Sequence, residues 1–122
     1  MIDPASFKDV RLRGGFVIAE IEFTDAPMVD ALDREAVAQT RIVGRDFRLL
    51  IRVGLSQPEL SLSLYHEILE AASVASLHPP ASVMEFNEGD FERAAHTAQD
   101  TWGDATPDNL NRLLQSYGFR GE

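Results

Sequence analysis

Residues 56–80 read SQPELSLSLYHEILEAASVASLHPP, a segment with a start signal, an amphipathic body and a stop. Ser56 and Glu59 stand at capping-box spacing, so the Ser hydroxyl can accept from the amide of Glu59 while the Glu carboxylate reaches back to the cap amide. Pro58 falls in the first turn, where its missing N–H costs nothing. Leu55 and Leu60 flank the cap as a hydrophobic staple. Pro79 and Pro80 end the segment, because a residue before proline is driven out of the α region. The spacing predicts a helix over 57–76, roughly 30 Å long.

At roughly 100° per residue, Leu60, Leu64, Ile68, Ala71 and Ala75 share one face of that helix, widened on one flank by Leu62, Tyr65, Leu69 and Ala72. Glu59, Ser63, His66, Glu70 and Ser73 form the opposite, polar stripe. His66 and Glu70 are neighbours one turn apart, with Cβ atoms about 5–6 Å from each other. One metal ion could bridge them. The plainer reading is that this stripe is the wet side of an amphipathic helix.

The rest of the chain supplies what the helix packs on. Before it, residues 7–13 and 15–24 read as a hairpin, with FKDVRLR and FVIAEIEF alternating around Gly14-Gly15, a pair able to take the positive φ of a tight turn. That alternation puts Val17, Ala19, Ile21 and Phe23 on one face, against Glu20 and Glu22. Residues 24–33 read as a loop or short helical turn, since Pro27 forbids a central strand. Residues 34–43 read as a strand, with a helix over 31–40 as the competing assignment, since Ala and Glu favour helix. Gly44-Arg45-Asp46 reads as a turn into FRLLIRV, 47–53, where Phe47, Leu49, Ile51 and Val53 face one way.

After the long helix, residues 81–86 connect to a helix capped by Asn87, with Asp90 at the third position and Phe86 and Phe91 as its staple. A last helix begins at Thr106-Pro107 and ends at Tyr117-Gly118. Strands first and helices afterwards make a single α+β domain over residues 1–122: a small antiparallel sheet of three or four strands with three helices on one face.

Composition excludes several function classes. Of 122 residues, 44% are hydrophobic, enough for a core without staples. There is no cysteine, so any metal must be held by His, carboxylate or water. Twenty acidic against eleven basic residues leave a net charge of −9, which disfavours nucleic acid and anionic membrane as partners. An unknown protein or peptide is the expected partner, and the sequence is silent on oligomeric state. MIDPASFKD has no basic, apolar leader character, and no run is long enough to span a bilayer, so a cytoplasmic setting is expected. There is no Gly-rich phosphate loop before a helix, no GxSxG and no aromatic–basic RNA-binding pattern.

One motif remains. His66-Glu67-Ile68-Leu69-Glu70 resembles the HExxH motif of zincin metallopeptidases, in a degenerate HExxE form. The resemblance spans residues 45–100, a strand, a short turn, the helix carrying HE and the helix after it. It implies a zinc ion held by His66 and Glu70, with Glu67 as the base that activates water. It also implies a further ligand from the next helix, where Glu92 and His96, one turn apart, are the candidates and Glu88 also lies. Glu70 stands where the second His would be, so the implied set is rich in carboxylate, and metal binding follows more directly than peptidase activity. His78, before Pro79, is read instead as a cation at the helix C-terminus, and Trp102 as core. The alternative function is that of a small acidic, non-enzymatic interaction module.

Overall fold

Asp3 and Pro4 start the first ordered turn: the Asp3 carboxylate accepts from the Ala5 amide, and Pro4 opens a 3₁₀ helix over Pro4–Phe7. The turn rolls Phe7 into the core, so the expected strand at 7–13 is shortened to β1, Val10–Leu12. The computed structural model describes residues 2–29 and 36–120. Further along come β2 (Phe16–Thr24), β3 (Ala38–Val43), β4 (Asp46–Arg52), α1 (Gln57–Ala75), α2 (Glu88–Trp102) and α3 (Pro107–Ser116). The domain is α+β, with the sheet preceding the helices as expected. The strand reading of 34–43 holds for residues 38–43; residues 30–35, on which the competing helix and part of the expected 24–33 loop fall, lie outside the described residues.

The sheet has four strands in the order β1-β2-β4-β3. Its pairing differs from the antiparallel expectation at one place: β2 and β4 run parallel, while β1–β2 and β3–β4 are antiparallel. The cause lies in β4. Its Phe47, Leu49 and Ile51 are all fully buried, and a strand this apolar belongs at the centre of a sheet. The chain therefore steps past one strand position after β2, descends along β3, and returns through the Gly44-Arg45 turn so that β4 enters between them. Gly44 takes a φ of 64° there, which a residue with a Cβ would resist.

β2 also departs from simple alternation. Its register with β4 shifts between Ile18 and Glu20, pairing Ile18 with Phe47 but Ile21 with Leu49 and Phe23 with Ile51. The bulge at Ala19 reverses the phase of the strand. Phe16 and Ile18 before it, and Ile21 and Phe23 after it, thus share the face of Phe47, Leu49 and Ile51, whereas the sequence alternation grouped Val17 and Ala19 with Ile21 and Phe23. Phe16 and Phe47 stack with centroids 5.0 Å apart. On the opposite face Glu20 pairs with Arg48.

Helix signals read from the sequence operate as chemistry. Both capping boxes form, Ser56 with Glu59 and Asn87 with Asp90. The Phe86 and Phe91 rings meet edge to face at 5.2 Å. Thr106 accepts from the Asn109 amide, and Gly118 takes a φ of 97° just past α3. α1 lies over β3 and β4, α2 packs along α1, and α3 reaches β1. Leu64, Ile68 and Leu69 of α1, Ala94 and Ala98 of α2, and Leu110 and Leu114 of α3 join the sheet residues in one core. Trp102 is partly buried and packs against that core. Among the described residues, no helix is long and apolar enough to cross a membrane.

Ser61 is wholly inside. The Ser61 hydroxyl donates to Gln99 and accepts from the Ala105 amide at 2.8 Å, tying α1 to α2 and to the start of the α2–α3 connection. Ser61→Ala strands that amide and should lower the unfolding free energy by about 1–3 kcal/mol. Ser73→Ala removes only a bond to Leu69 within the same helix and should change it by no more than about 0.5 kcal/mol. Urea titrations of the two variants beside the parent measure the difference.

Candidate functional site

α1 buries its apolar face and leaves its polar stripe at the rim of the helix layer, facing β3 and the first turns of α2. A groove of about 710 Å³ runs there, lined by Thr40 of β3, by His66, Glu67 and Glu70 of α1, and by Glu88 and Glu92 of α2. The polar faces of α1 and α2 therefore meet. They meet because the Phe86–Phe91 staple and the Asn87 cap start α2 close beside the middle of α1.

His66 is the centre of the cluster, with a side chain only 17% exposed. Its Nε2 lies 2.9 Å from Glu88 Oε2 and 3.6 Å from Glu70 Oε1. Its Nδ1 lies 3.1 Å from Glu92 Oε1. The ring rests near Phe91, centroids 6.1 Å apart. Burial disfavours the charged ring, but hydrogen bonds to Glu70 and Glu92 and the charges of Glu67 and Glu70 outweigh it, pushing His66 up to about 10. Without a metal, then, His66 is an imidazolium ringed by carboxylates.

The carboxylates differ in state. Hydrogen bonding from His66 holds Glu70 below the usual range despite burial. Glu88 shares a hydrogen bond with Glu70, and this together with burial and the Glu70 charge raises it to about 7. The pair thus retains a proton toward neutral pH, as crowded carboxylates do. Glu67 is raised chiefly by burial, although the Thr40 hydroxyl donates to its Oε1 at 2.8 Å and favours the ionised form.

Each residue singled out from the sequence can now be placed. His66, Glu67 and Glu70 each offer a donor atom, and these atoms lie within 4.8 Å of one another. Glu92 reaches the cluster through Nδ1 of His66. His96 stands outside it, 57% exposed, its Nε2 3.9 Å from Glu92. Glu88, one of three acceptable residues on α2 from sequence alone, is the one beside Nε2. Thr40 was not singled out. Its signal was present all the same: it is the polar member of the inward set Ala38, Thr40 and Ile42, and an inward hydroxyl requires a partner. His78 lies away from this groove, on another cavity.

Compared with protein-family models, with characterised proteins and with solved structures, the chain matches none. The site therefore rests on its own geometry.

His66 is raised from 6.5 to about 10, so its contribution to stability is complete below the lower value and is lost as pH rises through the upper one. Ionisation of Glu88, raised to about 7, acts in the same direction over lower pH. Metal-stripped protein should therefore lose thermal stability steadily from neutral pH toward 10. His66→Gln should flatten that slope, as read by melting temperature across the range.

Proposed function

We propose that this chain is a divalent-cation-binding domain with zincin-like placement of its donors. His66, Glu70 and Glu88 are the ligands, Glu92 orients the histidine, and Glu67 stands beside them as the base. The observation that carries this reading is the division of labour on the imidazole: Nε2 faces Glu70 and Glu88, while Nδ1 faces Glu92.

The donor set passes a simple test of fit. Ligand bonds of about 2.0–2.2 Å in tetrahedral geometry require donor atoms roughly 3.4 Å apart. The separations from Nε2, 3.6 Å to Glu70 and 2.9 Å to Glu88, bracket that value. A carboxylate on the other ring nitrogen is the usual outer support of a metal-binding histidine, fixing its tautomer and raising its basicity. A bound zinc ion would supply Lewis acidity and a more acidic water. Glu67, made more basic by burial and with its carboxylate held by Thr40, has the properties of a proton acceptor. Carboxylates at two of three ligand positions favour a harder ion than a two-histidine set would.

The alternative, an acidic interaction module, draws support from a different observation. β3 is an edge strand and borders the acidic groove, an arrangement suited to an extended basic segment pairing along the strand. In that reading the His66 imidazolium stays in place as an internal cation that joins α1 to α2.

Calorimetry with zinc on metal-stripped protein separates the two. Micromolar or tighter binding is expected, weakened at least tenfold by His66→Ala and by Glu88→Gln. Glu92→Gln should weaken it less, and His96→Ala should leave it unchanged. Because His66 and the Glu70–Glu88 pair are protonated at neutral pH, binding must release protons. The affinity should therefore rise with pH, and the measured heat should depend on the buffer's own ionisation enthalpy. Absence of binding at millimolar zinc sinks the metal reading and leaves the interaction module.

A further inference from the structure

A second cavity, of about 590 Å³, shares no residue with the acidic groove. Three loops and the segment after α3 meet there: the β1–β2 turn, the β3–β4 turn and the chain beyond α1. On a chain with twenty acidic and eleven basic residues, this cavity is lined by Arg45, His78 and Arg120 and, among the described residues, by no carboxylate.

Among the described residues, neither Arg45 nor Arg120 has an acidic partner. The obvious structural role would be to serve the carbonyl ends of α1 and α3, which point toward this end of the molecule. At the end of α3 the carbonyls are already served, Leu113 by the hydroxyl of Ser116 and Leu114 and Gln115 by the amides of Phe119 and Gly118, and at the end of α1 Ala72 accepts from both the hydroxyl and the amide of Ser76.

Arg45 is held in position before any ligand arrives. Its Nη1 donates to the Gly14 carbonyl at 2.8 Å, its guanidinium lies 5.6 Å from the centre of the Phe16 ring, and its own carbonyl accepts from Val17 at 2.9 Å. Gly15 permits this: a Cβ there would come within 2.8 Å of Nη1. The backbone of Arg120 is fixed too, its carbonyl accepting from the Gly14 amide at 2.6 Å. Phe119 and Pro80 supply an apolar wall.

We propose that this cavity binds a small phosphate monoester, with the dianionic head between Arg45, Arg120 and His78 and the organic body against Phe119 and Pro80. Two guanidinium forks match the oxygens and the double charge of such a head better than those of a single carboxylate. The volume exceeds what inorganic phosphate fills and lies in the range of small-molecule sites. The partial negative charge at two helix C-termini offsets some of the attraction, which sets the expected affinity in the millimolar range.

The test is an amide NMR titration of the full chain with phenyl phosphate and with inorganic phosphate, at ionic strength held constant with chloride. Saturable shifts are expected at Gly14, Gly15 and Gly118, with phenyl phosphate the tighter of the two. Arg45→Gln and Arg120→Gln should each weaken binding about tenfold, as expected for loss of a charged hydrogen bond. Arg112→Gln, on the exposed side of α3, should leave it unchanged. Arg120 is exposed, so its variant keeps the test decisive if loss of Arg45 disturbs the turn. No saturable shift, or an equal shift in the Arg45→Gln/Arg120→Gln double variant, overturns the site. Binding of phenyl phosphate no tighter than that of inorganic phosphate overturns the monoester assignment.

Discussion

Burial of one face of α1 is the constraint on which the rest of this structure depends. Leu64, Ile68, Leu69 and Ala72 lose essentially all contact with solvent, in one core with Phe47, Leu49 and Ile51 of β4. At roughly 25 cal/mol per Å² of apolar surface removed from water, this is the largest favourable term the helix contributes. A helix is rigid, so fixing that face fixes the opposite one. His66 and Glu70 must then project along the rim of the helix layer, and Glu67, between the two faces, must turn toward β3. The position of the candidate site is thus a by-product of core packing, and no local strain is needed to place it.

The electrostatics follow from that placement. A histidine at the junction of two helices is only partly hydrated, and burial by itself would keep it neutral. Four carboxylates around it reverse the outcome. The cluster is then a set of anions held together by one internal cation and one shared proton. At the other cavity the pattern is inverted, since positive groups gather where two helices end. Among the described residues, Arg45, His78 and Arg120 thus lie together, apart from the carboxylates around His66.

The sheet shows how tertiary packing overrides a local pattern. Strict alternation in β2 would place Val17 and Ala19 inward with Ile21 and Phe23. Phe16 and Ile18 are larger, and burying them before the bulge and Ile21 after it places more apolar surface inside than either uninterrupted phase could. The bulge at Ala19 achieves this at the cost of one ladder position. Likewise β4 takes a central place because it is apolar enough to need neighbours on both edges, and this choice makes its pairing with β2 parallel.

The sequence by itself determined the three α-helices and their caps. Ser56 with Glu59, Asn87 with Asp90, the Phe86–Phe91 staple, Thr106-Pro107 and Gly118 all act through atoms a few residues apart, so local spacing suffices to read them. It also determined that His66 and Glu70 share a helix face, since that is a property of helical period alone. Only the tertiary structure decided the strand order, the bulge at Ala19, the inward meeting of Thr40 with Glu67, and the choice of Glu88 and Glu92 over His96 as the partners of His66. Those outcomes depend on competition among distant groups for a limited interior, and on the angle at which α2 meets α1. Neither quantity has a local signature along the chain.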